Sequence, residues 1–383
     1  MKGRPPARLR TRGWRPAFEP PTRGRYCGVP APPHPSVDTR KARSSMTART
    51  KFVPLLALAL VALTACEKPR AWGEWNAIIV AADPELWPDY EPIVEGALET
   101  TVVTVRPERT FRVTYQDPTD TTTVHWDRLQ RFYSVLVIGD MDDPWVREAL
   151  DESGRDTFAP PEILQVEDVW ARGQRVTVLL TSPEGGADEV ASLADDLHDL
   201  LDRQYRDWVI ARMYQTGRDT ALADSLALQA GFRILLPDVY EHRVADSVHI
   251  FRNDNPDPSE LIREIAVTWR TPIPPGYQAD SILAWRQEVA DRYYDYPQVL
   301  DLSNVTGGPM KLDDMQFYEI RAAWSNPPED SFPAAGPFIV RAVLCPRVNK
   351  MFLVDAWLYA PGKDKYQYMI QLETILDSFR CAA

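Results

Sequence analysis

Cys66 closes the stretch Leu63-Thr64-Ala65-Cys66, directly after an apolar run from Phe52 to Leu63 that is led by Arg49 and Lys51. A thiol so placed has a defined chemistry open to it. A charged lead, an apolar core too short to persist as a membrane-spanning helix, and small residues before a cysteine form the arrangement in which the thiol is diacylated and a peptidase cuts before it. The alternative, an ordinary cysteine after an apolar segment, leaves that spacing unexplained. The expected mature chain begins at Cys66 and is held by lipid on a cell membrane or outer membrane, facing the periplasm, at roughly 0.8 kcal/mol per buried methylene.

Other residues invite a reactive reading more weakly. Three carboxylates follow one another in Gly139-Asp140-Met141-Asp142-Asp143, just past an apolar run ending at Ile138. A loop of that kind can bind a divalent cation, and it carries the alternative function, that of a periplasmic hydrolase or metal-assisted enzyme. The competing reading is that Asp143 caps a helix opening at Pro144 while the other carboxylates favour its N-terminal dipole. Asn253, Asn255, Asp257, Ser259 and Glu264 have calcium-loop spacing, but the sixth-position glycine is missing, and Pro256 and Pro258 favour a plain turn. His125, His198, His242 and His249 lack the pairing of a zinc hydrolase. No nucleophile elbow or phosphate-binding glycine loop occurs, so catalytic residues, metal ligands and cofactors are all expected to be none. Twelve Trp and fifteen Tyr offer stacking surfaces for sugars, although core packing explains their spacing equally well.

Charge narrows the partners. The chain holds 43 Lys and Arg against 55 Asp and Glu. Residues 1–45 contain eleven of the basic side chains and two of the acidic ones, and residues 46–65 two further basic ones, so a chain from Cys66 carries 30 basic against 53 acidic side chains. A surface near −23 repels phosphate backbones, and nucleic acid is excluded as a main partner. Expected partners are the membrane, through the lipid on Cys66, and another envelope protein. Residues 1–45, rich in Pro and Arg, read as a disordered or mis-annotated leader, since Met46 opens a better signal peptide over 46–65. Once Cys27 is removed with that leader and Cys66 is lipidated, Cys345 and Cys381 remain. A disulfide between them would close a loop of about 37 residues and stabilise by roughly 4 kcal/mol. Cys345 as a small buried hydrophobe is the other arrangement.

The elements that must position these residues divide in two after a linker over 66–75. In the first half, 76–216, strands are expected over 76–82, 110–116, 133–138 and within 163–180, with helices over 84–98, from Asp143-Pro144, and after Pro183, where Val190, Leu193, Leu197, Leu201 and Val209 recur at helical spacing. In the second half, 217–383, a helix over 220–229 precedes strands over 231–237, 247–252 and 261–269, a helix over 280–294, strands over 317–324, 338–344 and 351–359, and a final helix over 366–379. The fold class is α+β, with two sandwich-like halves of mixed or antiparallel sheets and helices packed on them.

Phe317-Tyr318-Glu319-Ile320-Arg321-Ala322-Ala323-Trp324, Ala335-Gly336-Pro337-Phe338 and Tyr359-Ala360-Pro361-Gly362-Lys363-Asp364-Lys365, with the helix that follows, resemble a lipoprotein family of Bacteroidota, domain-of-unknown-function family 4837. Glu85-Leu86-Trp87 and Asp168-Val169-Trp170-Ala171-Arg172-Gly173-Gln174 extend the similarity through nearly all of the mature chain. Where family members often carry Arg-Asp-Ser, this chain has Ala279-Asp280-Ser281. The resemblance implies an exported, lipidated protein with a two-part fold and no assigned activity. More loosely, the C-terminal half is similar to the PsbP and Mog1 type of sandwich, whose members act mostly as assembly or binding factors. Arg321, Trp324, Gly336, Phe338 and Lys363 carry the resemblance and form the candidate functional surface, with Trp324 on the opposite strand face from Arg321. The expected function is that of a lipid-anchored envelope protein acting as a non-catalytic binding or assembly factor.

Overall fold

The computed structural model describes residues 68–330 and 333–382, which belong to one compact unit beginning at Cys66. The lipidation site at Cys66, the signal segment and the leader lie outside the described residues.

The fold is α+β and holds two main sheets. The first is built from β1 (Ala77–Ala81), β4 (Arg112–Tyr115), β5 (Ser134–Gly139), β6 (Glu162–Glu167) and β7 (Arg175–Leu180), in the order β4-β1-β5-β7-β6. A short hairpin of β2 (Thr101–Val103) and β3 (Pro107–Arg109) precedes β4. Four strands run parallel, and β6 closes one edge antiparallel. All of β5 is buried, so both faces must be covered, which is why its sequence is continuously apolar rather than alternating. Ile78, Val80, Leu136 and Ile138 face α1 (Trp87–Leu98) and α5 (Ala194–Met213). Ile79, Val135 and Val137 face α3 (Pro144–Glu152), and α2 (His125–Leu129) places Trp126 against the same core. The amphipathic stretch after Pro183 forms two helices, α4 (Ala187–Ser192) and α5, because Leu193 between them leaves helical geometry at ψ 1°. Within α5, Leu197, Leu201, Tyr205, Val209 and Met213 are buried at a spacing of one turn.

The second sheet is antiparallel throughout. It comprises β9 (Glu241–Ala245), β10 (Val248–Asn253), β11 (Ile262–Arg270), β12 (Val299–Leu312), β13 (Met315–Ser325), β14 (Ala335–Cys345) and β15 (Lys350–Tyr359), in the order β12-β13-β14-β15-β11-β10-β9. One face packs on α7 (Ala279–Tyr293) through Ile282, Trp285 and Val289. The other packs on α6 (Thr220–Ala230) and α8 (Tyr366–Asp377). Helix α8 serves both sheets: Leu372, Ile375 and Leu376 enter the core of the second, whereas Ile370 belongs to that of the first.

Five strands escape the sequence pattern: the short β2 and β3, the two-residue strand Arg380–Cys381, and two edges of the second sheet. β9 and β12 are largely exposed, so nothing imposes an alternation of apolar residues on them, and Pro309 in β12 is tolerated where a missing donor costs no interior ladder bond. The expected strand over 231–237 shrinks to β8 (Phe232–Arg233), paired with β16 (Arg380–Cys381); Ile234 and Leu236 are fully buried but outside the ladder. Cys345 and Cys381 form a disulfide with Cα atoms 5.7 Å apart, joining the end of β14 to the chain after α8.

Gly336 in β14 lies so close to the Leu358 carbonyl oxygen that a Cβ would overlap it, whereas Gly96 in α1 has nothing within 4 Å of where its Cβ would be. Gly336→Ala should therefore destabilise by about 3 kcal/mol, and Gly96→Ala should stabilise by up to about 1 kcal/mol through helix propensity. Urea unfolding of the two variants checks this; a Gly336→Ala protein as stable as the parent would contradict the packing described.

Candidate functional site

The candidate surface read from the sequence does not assemble. Trp324 and Phe338 are buried beneath α7, and the Trp324 indole N–H donates to the Leu358 carbonyl at 3.2 Å. Gly336 is required by the close approach described above. Arg321 faces the opposite side, where it donates to Glu319 at 2.7 Å and also pairs with Glu373 of α8. Glu319 in turn accepts from Arg341 at 2.7 Å, Arg341 pairs with Asp377 at 2.8 Å, and Glu373 accepts from Arg206 of α5 at 3.0 Å. Burial alone would raise the Glu373 carboxyl, yet Arg321 and Arg206 hold it below its ordinary value. Arg321 thus belongs to an ion ladder that fastens α8 to both sheets. Of the five residues only Lys363 reaches the cleft described below, and its ammonium pairs with Glu260 at 3.3 Å.

The acidic loop is occupied by its own backbone. Asp143 accepts from the Asp140 N–H at 2.9 Å instead of capping α3, Asp140 accepts from the Asp142 N–H at 2.6 Å, and Asp142 pairs with Arg147 at 3.3 Å. Among the described residues no three His, Cys, Asp or Glu side chains converge to hold a metal ion. The calcium-like spacing is a turn: Asn253 accepts from the Asn255 N–H, Asp257 accepts from Ser259, and Glu264 is sealed on the far face of β11. His242 and His249 stack on adjacent strands with ring nitrogens 3.1 Å apart, and burial lowers both, His249 to about 4, which disfavours the charged form of each.

A cleft of about 940 Å³ opens where the two sheets meet at the N-terminal end of α8. One wall carries an aromatic ladder. Tyr133 stacks on Trp75 at 4.3 Å, Trp75 on Trp208 at 4.8 Å, and Trp208 on Tyr205 at 6.1 Å. These ring faces occupy one another, which leaves edges, indole N–H groups and phenol O–H groups to meet a ligand. The other wall is made by Tyr240, Asn253, Asn255 and Arg263 with Gln367, Tyr368 and Gln371 of α8. Four cationic side chains line the cleft, Arg112, Arg212, Arg263 and Lys363, against two carboxylates, Glu74 and Asp364. Arg112 takes both carboxylates, Glu74 at 3.0 Å.

Arg212 and Arg263 have no carboxylate partner among the described residues. Arg212 lies over the Trp208 ring at 5.6 Å. Arg263 donates to Gln371 at 2.9 Å and to the Asn255 carbonyl at 3.3 Å, while its Nε is buried without an acceptor. The Tyr240 hydroxyl, on a side chain 7% exposed, is also unpartnered, and burial pushes it up to about 12. An unmet buried donor costs about 1–3 kcal/mol, and these two belong to residues of one wall of the cleft. The amino-acid sequence offered only Lys363, Asn253 and Asn255 of this set as candidate ligand residues. A legible signal was present at Arg263, which sits in phase with Leu261, Ile265 and Val267, the residues of β11 that face α8.

An α+β protein of two sheets joined by a shared helix, with a donor-rich cleft at their junction, is the class that these elements define. Residues 252–378 match the model of the family described as Domain of unknown function (DUF4837). The family match is thus confined to the second half, and the similar stretches at 85–87 and 168–174 lie outside it. No curated protein sequence matches the chain. Among solved structures, the Ran-binding protein Mog1p of Saccharomyces cerevisiae is similar at 8% identity and a TM-score of 0.27, over 40% of this chain and 90% of that one. A STAR-related lipid transfer protein fragment from Xanthomonas axonopodis gives 10% identity and a TM-score of 0.15, over 37% of this chain and 94% of that one. Neither carries a functional argument.

Behind the second sheet lies a sealed polar cluster. Arg286 of α7 pairs with Asp355 at 3.1 Å, lies over Phe338 at 4.1 Å and donates to Gln298, while the Tyr294 hydroxyl donates to Asp355. Nearby, Glu264 is 0% exposed, and burial pushes its carboxyl up to about 7 against the opposing charge of Arg252, 3.5 Å away. The folded value lies above the ordinary 4.5, so the folded state holds the proton more tightly, and stability is lost as pH rises from 4.5 to about 7. Glu264→Gln removes this titrating group. Its stability relative to the parent should rise by about 3 kcal/mol between pH 4.5 and 8 and stay level above that, as read from urea midpoints. A pH-independent difference would mean that Glu264 does not titrate as its burial dictates.

Proposed function

We propose that this is a lipid-anchored cell-envelope protein, retained through Cys66, that acts as a non-catalytic binding or assembly factor, and that the cleft between the sheets is where it engages its partner. The observation that carries the reading is the pair of unpartnered buried donors, the Tyr240 hydroxyl and Arg263 Nε, on the wall of a cleft large enough for an extended ligand. A protein with no reaction to perform needs recognition groups without a nucleophile or base beside them, and the cleft offers donors, amides and aromatic edges. The anchoring half of the proposal rests on the residues around Cys66.

Each half has its own test. Metabolic palmitate labelling should mark the parent, and Cys66→Ser should lose both the label and membrane retention; a labelled, membrane-bound Cys66→Ser protein would refute the anchor. Thr216→Trp fills the cleft from an exposed position without altering charge. A component that co-purifies with the parent at fixed stoichiometry should be absent from Thr216→Trp, and its undiminished recovery would refute the cleft as the binding site.

A further inference from the structure

Resting on the cleft as the binding site, we propose that it contains an oxyanion subsite, in which Arg263 and the Tyr240 hydroxyl of the α8-side wall and Arg212 of α5 hold a carboxylate or phosphate carried by the ligand. The chain is strongly acidic, with 55 Asp and Glu against 43 Lys and Arg, so a cleft whose cations outnumber its carboxylates runs against the overall charge. The two arginines without a carboxylate share that cleft, and the carboxylates that line it are already engaged by Arg112. Arg263 is held in place by Gln371 and the Asn255 carbonyl, which use its terminal nitrogens and leave Nε as the buried donor. The positive charge of Arg263 also acts on the Tyr240 phenol, so the two donors share one field. Preorganised donors with no anion of their own, beside a guanidinium, match an oxyanion and not a cation or a neutral apolar group. The aromatic edges and amides of the remaining cleft suit the polar body that bears the acid.

Isothermal titration calorimetry of the full chain in detergent, with glucuronate, glucose 6-phosphate and glucose as probes, separates charge from ring. Binding of an acid but not of glucose supports the subsite, and which acid binds identifies carboxylate or phosphate as the source. Binding should weaken with added salt. Arg263→Met should weaken it about tenfold or more, and Tyr240→Phe about threefold or more. Tyr240→Phe should also leave the thermal midpoint of the ligand-free protein unchanged or higher, because it removes an unmet buried donor, an effect opposite to that expected if the hydroxyl were structural. Glucose binding as well as the acids, no acid binding at all, or variants that bind as the parent does would each overturn the subsite. If the acids fail while Thr216→Trp still loses its co-purifying component, the anion subsite falls and the cleft reading stands.

Discussion

Helix α8 is held between two sheets by charges that have few other places to go. Glu373 receives Arg206 from α5 on one side and Arg321 from β13 on the other, and the chain of pairs continues through Glu319 and Arg341 to Asp377 on the same helix. An isolated surface ion pair contributes little, but here the partners are half-buried or buried, and removing one would strand guanidinium groups against apolar packing. The ladder therefore fixes the helix in register more than it adds stability. The disulfide Cys345–Cys381 restrains the chain just beyond the helix, so α8 is fastened along its length and at its end.

The cleft inherits its shape from that fastening. Gln367, Tyr368 and Gln371 project from the first turns of α8, and Gln371 holds the Arg263 guanidinium at 2.9 Å. A shift of the helix by one turn, about 5.4 Å, would remove the glutamine from the arginine and close or widen the cleft. The opposite wall depends on α5, whose Trp208 and Tyr205 continue the ring ladder, and Arg206 of that same helix enters the ion ladder. Core, ion ladder and recognition wall are thus read from adjacent positions on two helices.

Much of the architecture is legible in the amino-acid sequence. Buried strands such as β5 and β15 show as apolar runs because both of their faces are covered, and α5 shows as a turn-spaced stripe because one of its faces is. What is illegible follows from the same physics. β9 and β12 face solvent and carry no apolar period. The candidate surface failed because resemblance marks residues that a fold requires as readily as those a ligand requires. Trp324, Gly336 and Phe338 are fold residues, packed where a strand, a carbonyl and a helix meet. The cleft could not be seen because its members are scattered from Gly73 to Gln371, and proximity between such distant positions is a property of the folded chain.

Opposite charge, not unmet polar atoms, separates two kinds of buried charge in one protein, since Arg286, Asp355 and Gln298 each also keep one unpartnered polar atom. Arg286 and Asp355 are wholly sealed, and their mutual attraction, with Tyr294 and Gln298, compensates the loss of water that each suffers. The Tyr240 side chain and the Nε of half-buried Arg263 are buried too, yet both residues line the cleft and have no carboxylate paired with them. Selection for stability alone would replace Tyr240 with Phe and lose nothing in packing, since the rings have the same shape. The proposed ligand would give that hydroxyl a partner, and Arg263, whose charge acts on it, would set the sign of the charge the ligand carries.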